Sequence, residues 1–190
     1  MLKRNIDKVL SEWKNTRIRQ PLLVRGARQT GKTFSIMHFG KTYFNQTAAV
    51  NFEERPEFSE CFTSMDVREI IEKIAILSGS EIVSGETLLF LDEIQECPPA
   101  ILSLRYFYEK MPELHVIAAG SLVEFAFKSP NFRMPAGRIH SIFTEPMSFS
   151  EFLDALSYEK LRRYLEKTDI RTDIHQDCSG DDLACDPDPN

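Results

Sequence analysis

Residues 26–33 read Gly26-Ala27-Arg28-Gln29-Thr30-Gly31-Lys32-Thr33, a complete G-x-x-x-x-G-K-[ST] phosphate-binding pattern. Its glycines let the backbone turn tightly enough for N–H groups to surround phosphate oxygens, and a helix beginning there adds the positive end of its dipole. In this pattern Lys32 reaches the β- and γ-phosphates, and the hydroxyl of Thr33 binds Mg²⁺. We therefore predict that residues 26–33 and the adjoining Phe34 bind the phosphates of a nucleotide.

The sequence on either side of this loop has the required pattern. Residues 20–25 form a short apolar run that ends directly in the loop and predicts a buried strand. Apolar residues after Thr33 have helical spacing, and Gly40 predicts the end of that helix. The alternative is a surface turn with an incidental lysine, which the strand–loop–helix order disfavours.

A second chemical feature follows another apolar run. Residues 88–91 are four apolar residues, and Asp92 and Glu93 come directly after them. An uninterrupted apolar run suits a strand buried on both faces, and its carboxyl end lies where α/β proteins bind ligands. We predict that Asp92 holds Mg²⁺ opposite Thr33 and that Glu93 orients or deprotonates an attacking water. The alternative is a pair of solvated acids at a strand end.

Length and composition restrict the class of protein. The 190 residues suffice for one domain with a substantial core. No apolar stretch approaches the roughly 20 residues that span a bilayer, and the first residues lack a signal-peptide pattern. The cysteines have neither zinc spacing nor a convincing disulfide framework, which predicts reduced thiols in a cytoplasmic protein. They are Cys61, Cys97, Cys178 and Cys185.

The net charge of −6 is concentrated at the end of the chain. Residues 169–190 contain seven Asp and one Arg, and residues 1–168 are neutral overall. A neutral body has no basic footprint for nucleic acid. The terminal stretch is acidic and almost without apolar periodicity, which predicts disorder. We therefore expect one ordered domain in residues 1–168 and an acidic, disordered tail in residues 169–190.

The remaining sequence predicts an alternation of helices and strands. Besides the elements around the loop, helices are predicted near residues 6–13, 67–77, 98–110, 122–128 and 149–156. Strands are predicted near residues 48–52, 88–92, 115–119 and 138–144. Five strands with intervening helices predict a parallel sheet covered by helices on both faces.

Four segments in this order resemble a known group. They are the loop at 26–33, L-L-F-L-D-E-I-Q-E-C-P at 88–98, V-I-A-A-G-S-L at 116–122, and G-R-I-H-S-I-F-T-E-P-M-S-F-S-E-F-L at 137–153. The chain resembles, over about residues 5–156, the AAA-type ATPase domain of prokaryotic ATP-binding proteins related to archaeal-type and signal-transduction ATPases. The first two segments then correspond to the Walker A and Walker B motifs. The resemblance implies an α/β P-loop NTPase fold, a three-layer sandwich with a five-stranded sheet of order 5-1-4-3-2.

The resemblance also implies roles for two further residues. Ser121 occupies the sensor 1 position, at the end of the fourth strand and beside the γ-phosphate; the alternative is a simple helix N-cap. Arg138 matches the position of an arginine finger, which neutralises charge on the transferred phosphoryl group and is sometimes supplied by a neighbouring subunit. A homo-oligomer that supplies Arg138 in trans is therefore expected. The alternative for Arg138 is a surface charge at a strand start.

The chain also departs from this group. Its members usually continue into a helical or winged-helix lid and a further C-terminal domain, whereas composition here changes abruptly near Asp169. We therefore expect a truncated product without the lid.

The leading functional prediction is hydrolysis of ATP to ADP with Mg²⁺, in which Lys32, Glu93, Ser121 and Arg138 are catalytic. The alternative is a nucleotide-binding switch or interaction module with little or no turnover. The sequence shows neither the arginine-rich lid of a small-molecule kinase nor the N-K-x-D motif of a GTPase.

Overall fold

The computed structural model describes residues 4–121 and 137–167. The helices of these residues are α1 (Asn5–Lys14), α2 (Lys32–Tyr43), α3 (Val67–Ser78), α4 (Pro98–Lys110), α5 (Phe149–Ala155) and α6 (Glu159–Lys167). The strands are β1 (Leu22–Arg25), β2 (Gln46–Asn51), β3 (Thr87–Asp92), β4 (His115–Gly120) and β5 (His140–Phe143). Short 3₁₀ helices cover Pro56–Phe62 and Ile94–Glu96.

Within the described residues the five strands form one parallel sheet of order β2-β3-β4-β1-β5. This order is 5-1-4-3-2 read from the other side, so the predicted topology is confirmed. Because all the strands are parallel, their carboxyl ends meet at one edge of the sheet. We call this edge the carboxyl edge and the other the amino edge. The loop after β1 and the acids after β3 therefore lie at the same edge.

The core explains why helices cover both faces of the sheet. Strands β3 and β4 are buried along their whole length, as their uninterrupted apolar runs predict. Alternate residues of each strand enter opposite clusters: Leu89 and Leu91 pack with α3 and α4, while Leu88 and Phe90 pack with α1 and α2. Side chains alternate between the faces of a strand, so one apolar run supplies two cores. The three-layer prediction is confirmed.

The helix ends agree with the sequence in one case and not in another. Asp66, a residue type that commonly caps helices, caps α3, and its carboxylate accepts a hydrogen bond from the backbone N–H of Arg68 at 3.0 Å. The prediction that Gly40 ends α2 is wrong, because the helix continues to Tyr43. A Cβ at Gly40 would collide with the hydroxyl of Thr47 and lie 3.2 Å from Leu88 Cδ2. Gly40 is therefore a site of close helix–sheet packing.

Residues 4–147 and 148–167 form two compact units. The second unit begins with a capping box, in which Ser148 Oγ accepts from the N–H of Glu151 at 3.2 Å and Glu151 Oε2 accepts from the N–H of Ser148 at 2.7 Å. Its helices are joined by an ion pair of 2.7 Å between Arg162 and Asp154.

Several predictions lie outside the described residues: the helix at 122–128, the acidic tail, Cys178 and Cys185. Among the helices that the structure does describe, none combines the length and apolar character that crossing a bilayer requires.

Candidate functional site

The predicted phosphate-binding residues, Gly26 to Phe34, lie between β1 and the first turn of α2 at the carboxyl edge. Gly31 is the N-cap of α2 and has a left-handed backbone with φ 82°. A glycine adopts this conformation without strain, which allows the loop to turn directly into the helix. The helix starts at Lys32, so its first N–H groups and its positive dipole end face the loop.

Gly26 begins the loop at a point of close backbone contact. Its φ is +154°, and a Cβ there would collide with the carbonyl oxygen of Thr144. The backbone N–H of Thr144 also donates to the carbonyl of Arg25 at 2.6 Å. The start of the loop is therefore packed directly against the residue that follows β5.

Arg4 joins the loop to two other parts of the chain. Its Nη1 donates to the carbonyl of Thr30 at 3.2 Å, and its Nη2 donates to the carbonyl of Glu145 at 3.1 Å. Arg4 itself is the N-cap of α1. Arg4 is not among the predicted site residues, because it belongs to no motif and precedes the loop by more than twenty residues.

Lys32 is directed back over the loop. Its ammonium donates to the carbonyls of Gly26 at 3.0 Å and Ala27 at 2.7 Å, and the residue is only 6% exposed. Burial lowers the pKa of this ammonium, and the charges of Glu93 and Asp92 act in the opposite direction. A phosphate in the loop would offer the ammonium charged acceptors in place of neutral carbonyls, which strengthens its hydrogen bonds.

Thr33 and Asp92 meet although 58 residues separate them in the sequence. Thr33 Oγ1 donates to Asp92 Oδ2 at 2.8 Å. Burial is the main cause that raises the pKa of the Asp92 carboxyl, while the hydrogen bonds from Thr33 and the Glu93 N–H oppose it. A hydroxyl and a carboxylate in contact beside a phosphate loop form an all-oxygen donor set. Mg²⁺ prefers such ligands and commonly shares them with substrate phosphates, so these residues fit the ion.

Glu93 is positioned by an unusual backbone conformation. It has φ 49° and ψ 46°, in the left-handed region, and is the N-cap of the 3₁₀ turn Ile94–Glu96. Its N–H donates to Asp92 Oδ1 at 3.1 Å, and its Oε2 accepts from Gln95 Nε2 at 2.7 Å. Gln95 is not among the predicted site residues, although it lies in the D-E-I-Q segment only two residues after Glu93.

Ser121 directly follows β4, whose last residue, Gly120, pairs with Arg25 at the end of β1. Ser121 is therefore at the carboxyl edge, next to the start of the loop. Its Oγ is buried and has no hydrogen-bond partner among residues 4–121 and 137–167. The alternative role, capping a following helix, concerns residues that the structure does not describe.

Arg138 lies away from the other predicted site residues. It precedes β5, whose first residue, His140, is in register with Leu22 at the amino edge. At about 3.3 Å per residue, the length of β1 alone puts roughly 10 Å between that edge and the loop. At this edge Arg138 forms an ion pair of 3.1 Å with Glu109, and its guanidinium carbon lies 6.0 Å from the ring centre of Tyr108. Arg138 is thus not brought to the loop of its own chain.

Comparisons with known proteins agree with this architecture. A family model described as an AAA domain matches residues 18–153. Among solved structures, a Walker-type ATPase of Pyrococcus abyssi superposes with a TM-score of 0.50 at 16% identity, over 83% of this chain and 57% of that one. A structure of Drosophila ORC bound to DNA superposes with a TM-score of 0.50 at 17% identity, over 90% of this chain and 50% of that one.

At these identities the two structural matches show the fold alone. The chain spans about half the length of either structure. A comparison with curated protein sequences finds no match.

Proposed function

The chain belongs to the AAA domain family, and from this premise we propose that it binds ATP with Mg²⁺ and hydrolyses it to ADP and phosphate. One observation carries the proposal: the hydrogen bond of 2.8 Å between Thr33 and Asp92. It joins the hydroxyl that ends the phosphate loop to the carboxylate that ends β3. Both are groups that P-loop NTPases use around the metal of a bound nucleotide.

We assign one role to each group at the carboxyl edge. The N–H groups of residues 26–33 and the Lys32 ammonium bind the phosphates, and Thr33 and Asp92 hold Mg²⁺. When bound, Mg²⁺ neutralises charge that develops on the phosphate oxygens. Glu93 orients or deprotonates the attacking water. Ser121 is proposed to contact the γ-phosphate or that water through its buried hydroxyl.

Nucleotide binding is tested by thermal shift with ATP and Mg²⁺, comparing the wild type with Lys32→Ala. A ligand at 100 times its dissociation constant stabilises the folded state by about 2.7 kcal/mol, and we expect Lys32→Ala to lose most of that gain. The matched control is Lys41→Ala, which removes an exposed lysine from the same helix and should retain the shift. A wild type that ATP does not stabilise would contradict the proposal.

Hydrolysis is tested by phosphate release with Mg²⁺ and with EDTA. We expect Glu93→Gln to lower kcat by about 100-fold or more while ATP binding persists, because the amide cannot accept the proton of the attacking water. EDTA should abolish release in the wild type. Turnover that is equal in the wild type and Glu93→Gln would exclude the role assigned to Glu93.

The position of Arg138 favours a second candidate function for a single chain, a nucleotide-binding switch with little turnover. Its salt bridge with Glu109 at the amino edge leaves an arginine finger to be supplied by a second copy. We propose that such a copy supplies Arg138 in trans. Mixing Arg138→Ala with Lys32→Ala should then restore phosphate release, because some interfaces pair an intact loop with an intact arginine. Mixtures no more active than their components would favour the switch.

Two further sequence predictions are carried here as proposals. Residues 1–168 are proposed as the nucleotide-binding domain and residues 169–190 as an acidic tail, so a chain ending at residue 168 should keep the ATP-dependent thermal shift. A reducing, cytoplasmic location is also proposed, and the buried free thiols of Cys61 and Cys97 support it.

A further inference from the structure

The carboxylate that the proposed hydrolysis depends on is held by a neighbouring amide. Glu93 Oε2 accepts a hydrogen bond of 2.7 Å from Gln95 Nε2. We propose that Gln95 is a positioning residue, which orients the Glu93 carboxylate toward the water that attacks ATP. This inference rests on the proposed ATP hydrolysis and adds to it a residue that acts through Glu93.

The turn that carries both side chains fixes their spacing. Backbone hydrogen bonds of 3.0 Å run from the N–H of Glu96 to the carbonyl of Glu93 and from the N–H of Cys97 to the carbonyl of Ile94. The side chain of Ile94 is fully buried in the core. Because the turn is closed by its own bonds and fixed by Ile94, Gln95 meets Glu93 at a set distance.

The two oxygens of the Glu93 carboxylate have different surroundings. Oε2 is bound by Gln95, whereas Oε1 has no hydrogen bond within the described part of the chain. An ionised carboxylate only accepts hydrogen bonds, so the free oxygen can accept one from water. Because Gln95 fixes Oε2, it also fixes the direction of Oε1 and of a water bound to it. Orienting the attacking water in this way lowers the activation barrier for hydrolysis.

Among the described residues, the other charged and polar neighbours of Glu93 do not hold its carboxylate through a hydrogen bond. Lys32 and Asp92 interact with Glu93 through their charges. Asn51 pairs across the sheet from Asp92, but its Oδ1 accepts from the N–H groups of Glu53 at 2.9 Å and Glu54 at 3.0 Å. The Asn51 amide is therefore oriented by its own turn.

The other end of the Gln95 amide argues against a merely structural role. Gln95 Oε1 is buried and has no partner among the residues described. A buried acceptor without a partner costs free energy, so this amide is not optimised for stability. Replacing it with leucine, which has a similar volume, removes the bond to Glu93 and also removes the unsatisfied acceptor. The folded state should tolerate that change.

The first experiment measures steady-state hydrolysis of ATP by Gln95→Leu. We expect kcat to fall about tenfold, with KM for ATP within about twofold of the wild type, because orientation of the water is lost and the phosphate contacts remain. The control is Glu96→Gln, which changes an exposed side chain of the same turn and should leave both constants unchanged. A kcat for Gln95→Leu that is unchanged or raised would overturn the proposal.

The second experiment places Gln95→Leu in the Glu93→Gln background. If Gln95 acts through Glu93, the double variant should have the kcat of Glu93→Gln alone. A further tenfold loss in that background would show an independent, structural effect and would overturn the positioning role. Thermal unfolding of all four proteins confirms that each is folded at the assay temperature.

A third measurement separates this proposal from the proposed function. The side-chain amide resonances of Gln95 in an NMR spectrum of the nucleotide-free protein should move in Glu93→Gln and stay in place in Glu96→Gln. If the wild type hydrolyses ATP but these resonances do not move in Glu93→Gln, the contact between Gln95 and Glu93 is absent. The Gln95 proposal then fails while the proposed function stands. If the resonances respond but the wild type does not hydrolyse ATP, the proposed function fails and the catalytic role of Gln95 fails with it.

Discussion

The guanidinium of Arg4 holds the phosphate loop from outside the motif. It donates to the carbonyls of Thr30 and Glu145, and so connects the loop, the start of α1 and the segment after β5. We predict that Arg4→Ala weakens ATP binding about tenfold, because the loop must then be ordered when the nucleotide binds. Lys8→Ala is the control: it lies on the same helix, with its side chain 83% exposed, and should bind ATP like the wild type. Isothermal titration measures both, and equal affinity in Arg4→Ala would exclude the bracing role.

Gly26 provides a second test at the level of one residue. Its substitution by alanine combines an unfavourable φ with a collision against the Thr144 carbonyl. We predict a loss of about 3 kcal/mol in the free energy of unfolding, together with loss of ATP binding. Gly85→Ala is a matched control because Gly85 also has positive φ, +86°, but open space where the Cβ would stand. Urea unfolding should give it a loss of only about 1 kcal/mol, and equal losses would show that the collision is unimportant.

The sequence predicts the motif residues much better than the residues that hold them. The structure places residues 26–34, Asp92 and Glu93 at one edge, because strand ends and loop spacing follow from local patterns. Arg4 and Gln95 act through side-chain contacts that have no spacing signature. A contact such as that between Arg4 and Thr30 depends on how α1 packs against the rest of the domain, and local sequence patterns do not reveal that packing.

Helix α2 shows that the helix propensity of a residue does not by itself predict where a helix ends. Glycine is a common helix stop, yet Gly40 lies inside α2 because the helix approaches the sheet closely at Thr47 and Leu88. We predict that Gly40→Ala lowers the free energy of unfolding by about 1–3 kcal/mol, although alanine raises helix propensity. Thr42→Ala, an exposed site on the same helix, should change it by less than about 0.5 kcal/mol. A stabilised Gly40→Ala would mean that the sheet yields at this contact.

Strand β5 shows what parallel geometry adds to a sequence pattern. The sequence correctly predicts a strand here, and Arg138 lies just before it. In a parallel sheet, however, every strand starts at the edge opposite to the phosphate loop. The direction of the strand therefore excludes Arg138 from the site of its own chain. Only a second chain could present it to a nucleotide, which is why the mixing experiment is decisive for that residue.

Across the domain, His115 joins the start of β4 to α1 and to the residue after α2. Its ring makes edge contacts with Trp13 at 5.9 Å and Phe44 at 4.7 Å between ring centres. Burial first, and then the charges of Arg19 and Lys14, lower the pKa of His115 from 6.5 to about 4. The imidazole is therefore neutral in the folded protein at pH values where the unfolded chain has already bound a proton.

This difference makes the stability of the protein depend on pH in a definite direction. Between pH 6.5 and about 4 the unfolded state binds more protons at His115, so its contribution is present above pH 6.5 and is lost as the pH falls toward 4. Between pH 7 and pH 4.5 we expect a loss on the order of 2 kcal/mol in the free energy of unfolding, because this range covers most of the interval between the two pKa values of His115.

His115→Phe should remove this part of the pH dependence while keeping the aromatic contacts. Urea unfolding at pH 7 and pH 4.5 measures it as the difference between variant and wild type, so that titration of other groups cancels. His140→Gln, at an exposed position, should lose as much stability as the wild type over that range. If the free energies of unfolding of the wild type and His115→Phe changed in parallel with pH, His115 would bind its proton as readily in the folded protein as in the unfolded chain. In that case the junction of β4, α1 and the residue after α2 would have to open to solvent without unfolding the domain.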